Sequence, residues 1–174
     1  IQTVKTSIAQ IAPHYTMKRQ LDDYFTKFYC PLADRRKVLF ADNYKKAKDI
    51  AAWKELVASR WDGINVVSFE KEEDMLKGDV LAGKKYHIRY VIDEQGLDDA
   101  VGFELVTLFR DEDGQEHVSQ VEPLKVTKRE GNLYTFEGVH VMPTSGSFKV
   151  AYRMYPKNAD LPHRQDFCYV KWFN

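Results

Sequence analysis

The chain has 174 residues and a mass of 20.3 kDa, enough for one large or two small domains with a buried core. Its 26 basic and 26 acidic residues cancel, so no global field attracts nucleic acid or an anionic membrane. A hydrophobic share of 44% excludes a disordered polymer, and no apolar run approaches the ~18 residues that span a bilayer.

From Ile1 to about Arg60 the apolar spacing is helical. Ser7 and Gln10 fit a capping box, and Pro13 is expected to stop a first short helix. In the next, Met17, Leu21, Tyr24, Phe25, Phe28, Tyr29 and Leu32 share one face, opposite Lys18, Arg19, Asp22, Asp23 and Lys27, and Pro31 is expected to end it. A third helix runs from Asp34 or Asn43 to Arg60 on Ile50, Trp53, Val57 and Trp61, with an interruption expected around Ala41 to Asn43 and a stop at Gly63.

Beyond Gly63 the pattern changes to alternation in twos, punctuated by turns at Gly78, Gly83, Gly96, Gly114, Gly131 and Gly146. The strand-like runs are seven: INVVSF, KYHIRYVI, VGFELVTLF, EHVSQVEPLKVT, NLYTFEGVHV, SFKVAYRMYP and DFCYVKWF. In the second, Tyr86, Ile88, Tyr90 and Ile92 face one way; in the sixth, Phe148, Val150, Tyr152 and Met154 do. One wet and one buried face marks an antiparallel sheet. The expected class is therefore α+β: a helical segment at 1–62, a linker or first strand at 63–78, and an immunoglobulin-like β-sandwich at 79–174. Charge follows the division, with 14 Lys+Arg against 11 Asp+Glu up to residue 78 and the reverse sign beyond. Glu70 to Asp79 is the expected surface linker.

Catalytic signatures are absent from the sequence: no nucleophile elbow, phosphate-binding glycine loop, dinucleotide fingerprint or zinc-protease motif. His14, His87, His117, His140 and His163 are scattered, and none has a His or Cys neighbour at ligand spacing, so no metal site is expected. His87 and His140 are expected to face solvent or rest against a neighbour. The adjacent carboxylates Asp22–Asp23, Asp98–Asp99 and Glu72–Glu73–Asp74 read as solvated charge. DEDG at Asp111 to Gly114 resembles the start of a calcium loop but lacks its twelfth-position glutamate, which leaves a hairpin turn. Cys30 and Cys168, without zinc spacing, read as reduced, partly buried thiols in a reducing compartment. Tyr90, Tyr134, Tyr155, Tyr169 and Trp172 are candidates for stacking on sugar rings, set against the commoner role of strand aromatics as core. The positive stretch Arg35, Arg36, Lys37, Lys45, Lys46 and Lys48 reads as a solvated helix face because Asp34, Asp42 and Asp49 accompany it.

Two stretches resemble the C-terminal part of bacterial alpha-glucan (glycogen/maltodextrin-type) phosphorylases. The first is SIAQIAPHYTMKRQLDDYFTKFYCPL, with Lys18-Arg19, Asp23-Tyr24 and Phe28-Tyr29-x-Pro31, continuing through NYKKAKDIAAWKELVASRW. The second is SGSFKVAYRMYPKNADLPHRQDFCYVKWF, with Gly146, Arg153, Pro156, Leu161 and Trp172. Gln20 stands where a methionine is usual, and Lys157-Asn158 where a histidine is usual. The resemblance implies a cytoplasmic parent enzyme with two Rossmann-like lobes that uses lysine-tethered pyridoxal phosphate to transfer glucosyl from an α-1,4-glucan to orthophosphate. Lys18 and Lys77 lack the Gly-rich surroundings of that lysine, so the resemblance implies a piece beginning downstream of it, with no catalytic, cofactor or metal residue of its own. Expected partners are the upstream catalytic lobes, α-glucan at Tyr155, Trp172 and Tyr90, and a second copy in a homo-oligomer, with neither nucleic acid nor membrane. The alternative is a free-standing carbohydrate-binding or protein-interaction β-sandwich module.

Overall fold

A computed structural model describes residues 1–72, 81–142 and 148–173. Most of the expected linker and the turns at Gly78 and Gly146 lie outside them. By contacts the chain forms two units, Ile1–Ala52 and Trp53–Asn174.

The first unit is helical: α1 (Gln2–Thr6), a π-helical turn at Ser7–Ile11, a 3-10 turn at Ala12–Tyr15, α2 (Met17–Tyr24), a second π-helical turn at Phe25–Tyr29, and the first part of α3 (Cys30–Arg60). Ser7 is no cap; it continues the helix with φ −60° and ψ −44°. The N-cap is Thr16, extended at ψ 149°, whose hydroxyl accepts from the Arg19 amide at 3.2 Å. Pro13 starts the tighter turn that ends the first helix. Pro31 does not end the second, contrary to expectation. It lies in a continuous helical run, with Cys30 before it at φ −64° and ψ −49°, directly after the π turn, where the Cys30 amide already reaches back five residues to the Phe25 carbonyl and the regular ladder is interrupted. The expected interruption is present: Ala41 is extended and Asp42, Asn43 and Tyr44 have φ of 49°, 55° and 61°. Asp and Asn tolerate this left-handed region best among side-chain-bearing residues.

The second unit begins with the end of α3, whose Val57 enters the sandwich core with Trp61 just beyond it. Among the described residues eight strands follow: β1 (Asn65–Lys71), β2 (Lys85–Asp93), β3 (Val101–Arg110), β4 (Glu116–Pro123), β5 (Lys125–Glu130), β6 (Leu133–Val141), β7 (Phe148–Pro156) and β8 (Lys171–Phe173). They form two antiparallel four-stranded sheets, β1-β2-β6-β5 and β4-β3-β7-β8. The run EHVSQVEPLKVT is two strands rather than one. It leaves the second sheet at Pro123, which cannot donate to a ladder, and enters the first at Lys125. Between them Leu124 is buried and its amide donates to the Phe103 carbonyl at 2.9 Å.

Alternation places the core as the sequence predicts. Tyr86, Ile88, Tyr90 and Ile92 of β2 are buried, as are Tyr152 and Met154 of β7. The sheets meet through aromatics: Tyr90 lies 5.0 Å from Phe103 and 4.7 Å from Tyr152, and Phe103 lies 5.5 Å from Phe136, between ring centroids. Asp111 caps the β3–β4 hairpin, accepting from the Gly114 amide at 3.0 Å and, through its carboxylate, from Gln115 at 2.8 Å. His87 is exposed, whereas His140 is fully buried with Nδ1 2.6 Å from Glu122. Cys30 and Cys168 are free; Cys30 is half-buried, but Cys168 is exposed rather than partly buried because it follows a surface turn whose Gln165 carbonyl takes its thiol. No helix among the described residues is long and apolar enough to cross a membrane.

Candidate functional site

Of the three aromatics expected to contact glucan, Tyr90 is a core residue. It is 2% exposed, with Phe69, Phe103 and Tyr152 around it, and burial pushes its phenol well above the usual range. The inward phase of β2 decides this, since its neighbours Ile88 and Ile92 point the same way. Tyr155 and Trp172 lie together on the second sheet.

Register brings them there. Glu104 of β3 pairs with Arg153 of β7, and Arg153 pairs with Trp172 of β8, so the three form one row across the sheet. Glu104 is 1% exposed and receives both arginines. Arg153 Nε donates to its Oε1 at 2.7 Å, joined by Nη2, and Arg164 Nη1 donates to both oxygens at 3.0 Å. One carboxylate between two guanidiniums is a compensated buried charge, which holds both cations in fixed positions. Each then covers an aromatic: Arg153 stands 5.1 Å from the Trp172 ring centre and Arg164 3.7 Å from that of Tyr155.

The two rings are not equivalent. Tyr155 has Arg164 on its ring and Gly102 against it, where a Cβ would overlap the ring, and burial pushes its phenol up. Trp172 stays 51% exposed. Beside Tyr155 a groove of about 440 Å³ is lined by Lys157, Asn158, Leu161, His163 and Arg164. A half-exposed indole backed by a fixed guanidinium is equipped to hold a flat or ring-shaped ligand. Among the described residues, no group of three or more His, Cys, Asp or Glu is placed to hold a metal ion.

Glu104 and Arg164 escaped the sequence reading. The signal for Glu104 is the lone charge in the apolar run VGFELVTLF, because a carboxylate inside such a strand requires a partner. That its partners stand at 153 and 164 has no local trace.

A family model for the glycogen phosphorylase C-terminal domain matches residues 61–174. The chain is also similar to the maltodextrin phosphorylase of Thermococcus litoralis, 26% identical over 178 aligned positions that take in 99% of this chain and 20% of that protein. It thus spans about a fifth of that relative's length. The matched stretch runs from Trp61 through all eight strands, and on that match the chain belongs to the glycogen phosphorylase C-terminal domain family.

Proposed function

We propose that this chain is the non-catalytic C-terminal part of a cytoplasmic alpha-glucan phosphorylase. The parent would transfer glucosyl from an α-1,4-glucan to orthophosphate, giving glucose 1-phosphate. Its pyridoxal phosphate would be bound upstream. Of the two lysines weighed for it, Lys77 lies outside the described residues, and Lys18 is 84% exposed and paired with Asp22 at 2.6 Å, which does not fit a lysine enclosed with a cofactor. The helices of Ile1–Ala52 serve as a docking surface for the catalytic lobes, and the sandwich is an appended module that contacts glucan through Trp172. That nearly the whole of this chain aligns with about a fifth of a phosphorylase supports this reading over a free-standing module.

The observation that carries the reading is an uncovered apolar face. Met17, Leu21, Phe25, Phe28, Tyr29 and Leu32 are each more than half exposed, a stripe that in a self-contained helix faces a core. For the sandwich, strand order supports an immunoglobulin-like topology. β1-β2-β6-β5 occupy the places of strands A, B, E and D, and β3, β7 and β8 those of C, F and G, with β4 added beside β3.

The test separates the two roles. The purified chain is expected to release no glucose 1-phosphate from glycogen and to bind the separately expressed upstream lobes, with Phe25→Ala plus Phe28→Ala abolishing the complex. Release of product, or binding unchanged by the double variant, overturns the docking role. Affinity electrophoresis in glycogen is expected to retard the chain and Trp172→Ala to lose that retardation; an unretarded wild type removes the glucan contact. Light scattering of the chain alone reports whether copies associate.

A further inference from the structure

Glu94 opens the connection from β2 to β3 and belongs to none of the interactions described so far. Its side chain is fully buried, and neither carboxyl oxygen has a hydrogen-bond partner among the described residues. The charges that act on it are Asp98 and Asp99 within the connection, Arg129 of β5 and Lys157 just after β7, and it acts in turn on the Tyr134 phenol of β6. Arg129 is already bound to Asp99 at 3.1 Å. Asp93, at the end of β2, is occupied by the Gln95 amide at 2.9 Å.

The backbone around this acid is held under tension. Gln95, Gly96 and Asp98 have φ of 56°, 70° and 52°, a left-handed series with side chains on two of its three members. Leu97 and Ala100 anchor it in the core. The Glu94 amide donates to the Asn132 carbonyl at 2.9 Å, and Arg60, the last residue of α3, donates to the carbonyls of Gln95 at 3.0 Å and Gly96 at 2.8 Å. Movement of Glu94 toward water would have to unseat these contacts together.

We propose that Glu94 is a proton-operated latch on the β2–β3 connection: as the neutral acid it stays inside and Arg60 clamps the connection to the end of α3, and as the carboxylate it turns to water and frees both. A buried carboxyl without a donor is tolerable only while neutral. Burial pushes it from 4.5 up to about 8; Asp99 and Asp98 add to the rise, and Arg129 and Lys157 oppose it. Between those two values the folded chain keeps a proton that the unfolded chain has lost, so stability falls as pH rises through this window.

The test is hydrogen exchange of the intact protein from pH 6 to 9, corrected for the intrinsic rate. Protection of the Leu97 and Ala100 amides is expected to fall about tenfold per pH unit up to about pH 8 and to level off above it. Glu94→Gln is expected to keep that protection to pH 9. The wild type should also show a protonated-carboxyl infrared band at pH 7 that disappears with the same midpoint. Identical pH profiles for wild type and Glu94→Gln overturn the proposal. So does a wild type without that band at pH 7, whatever the variant does.

Discussion

The two units are built from similar proportions of apolar residues used in opposite ways. In Trp53–Asn174, Phe103, Phe136, Tyr152 and Met154 are almost wholly buried against one another. In Ile1–Ala52 no residue is buried, although Phe25, Phe28 and Tyr29 are as large. Helix geometry alone is marginal in water, and short helices draw most of their stability from packing on an apolar stripe. The sandwich supplies that packing internally. The helical unit carries the stripe with no buried residue of its own.

The largest contrast should come from truncating one aromatic in each unit. Phe103→Ala is expected to destabilise the sandwich by about 3–5 kcal/mol, whereas Phe28→Ala, at 54% exposure, should cost the chain under ~0.5 kcal/mol by urea denaturation. A comparable loss for Phe28→Ala would mean that the helices have a core after all. Next in size is Glu104→Gln, which leaves two guanidiniums around a neutral group and should cost about 3 kcal/mol. The same variant should change Trp172 fluorescence as Arg153 leaves the ring, and an unchanged spectrum would dissociate the carboxylate from the aromatic row. Gly102→Ala follows at about 1–3 kcal/mol, because its Cβ must displace the Tyr155 ring. Smallest is Asp22→Asn in the helical unit. Its partner Lys18 is fully solvated, the rise in the lysine's pKa notwithstanding, and no shift of the unfolding midpoint is expected.

The fold was legible where periodicity reports burial directly. Alternation in β2 and β7 marks Tyr86, Ile88, Tyr152 and Met154 as inward, and Asp42 with Asn43 marks the break in α3. It was illegible where a residue's meaning depends on what precedes it in space. Pro31 reads as a stop, and only the π turn before it shows why the helix continues. Pro123 reads as part of a strand, yet it is where the chain changes sheets. The candidate site divides in the same way. Tyr155 and Trp172 could be named as aromatics in the terminal strands, and the alternation of β2, which groups Tyr90 with Ile88 and Ile92, already spoke against Tyr90 as a surface residue.

By itself the sequence determined the period of each segment, the change from helix to strand near Gly63, and the apolar faces that had to be covered. These follow from local backbone geometry and side-chain spacing. Tertiary structure decided which of those faces found a partner. It drew Arg153 and Arg164 onto the buried carboxylate of Glu104, left Trp172 half in water, and enclosed Glu94 without a donor. Pairing across the sheets acts between residues far apart in the chain, where no local pattern records it.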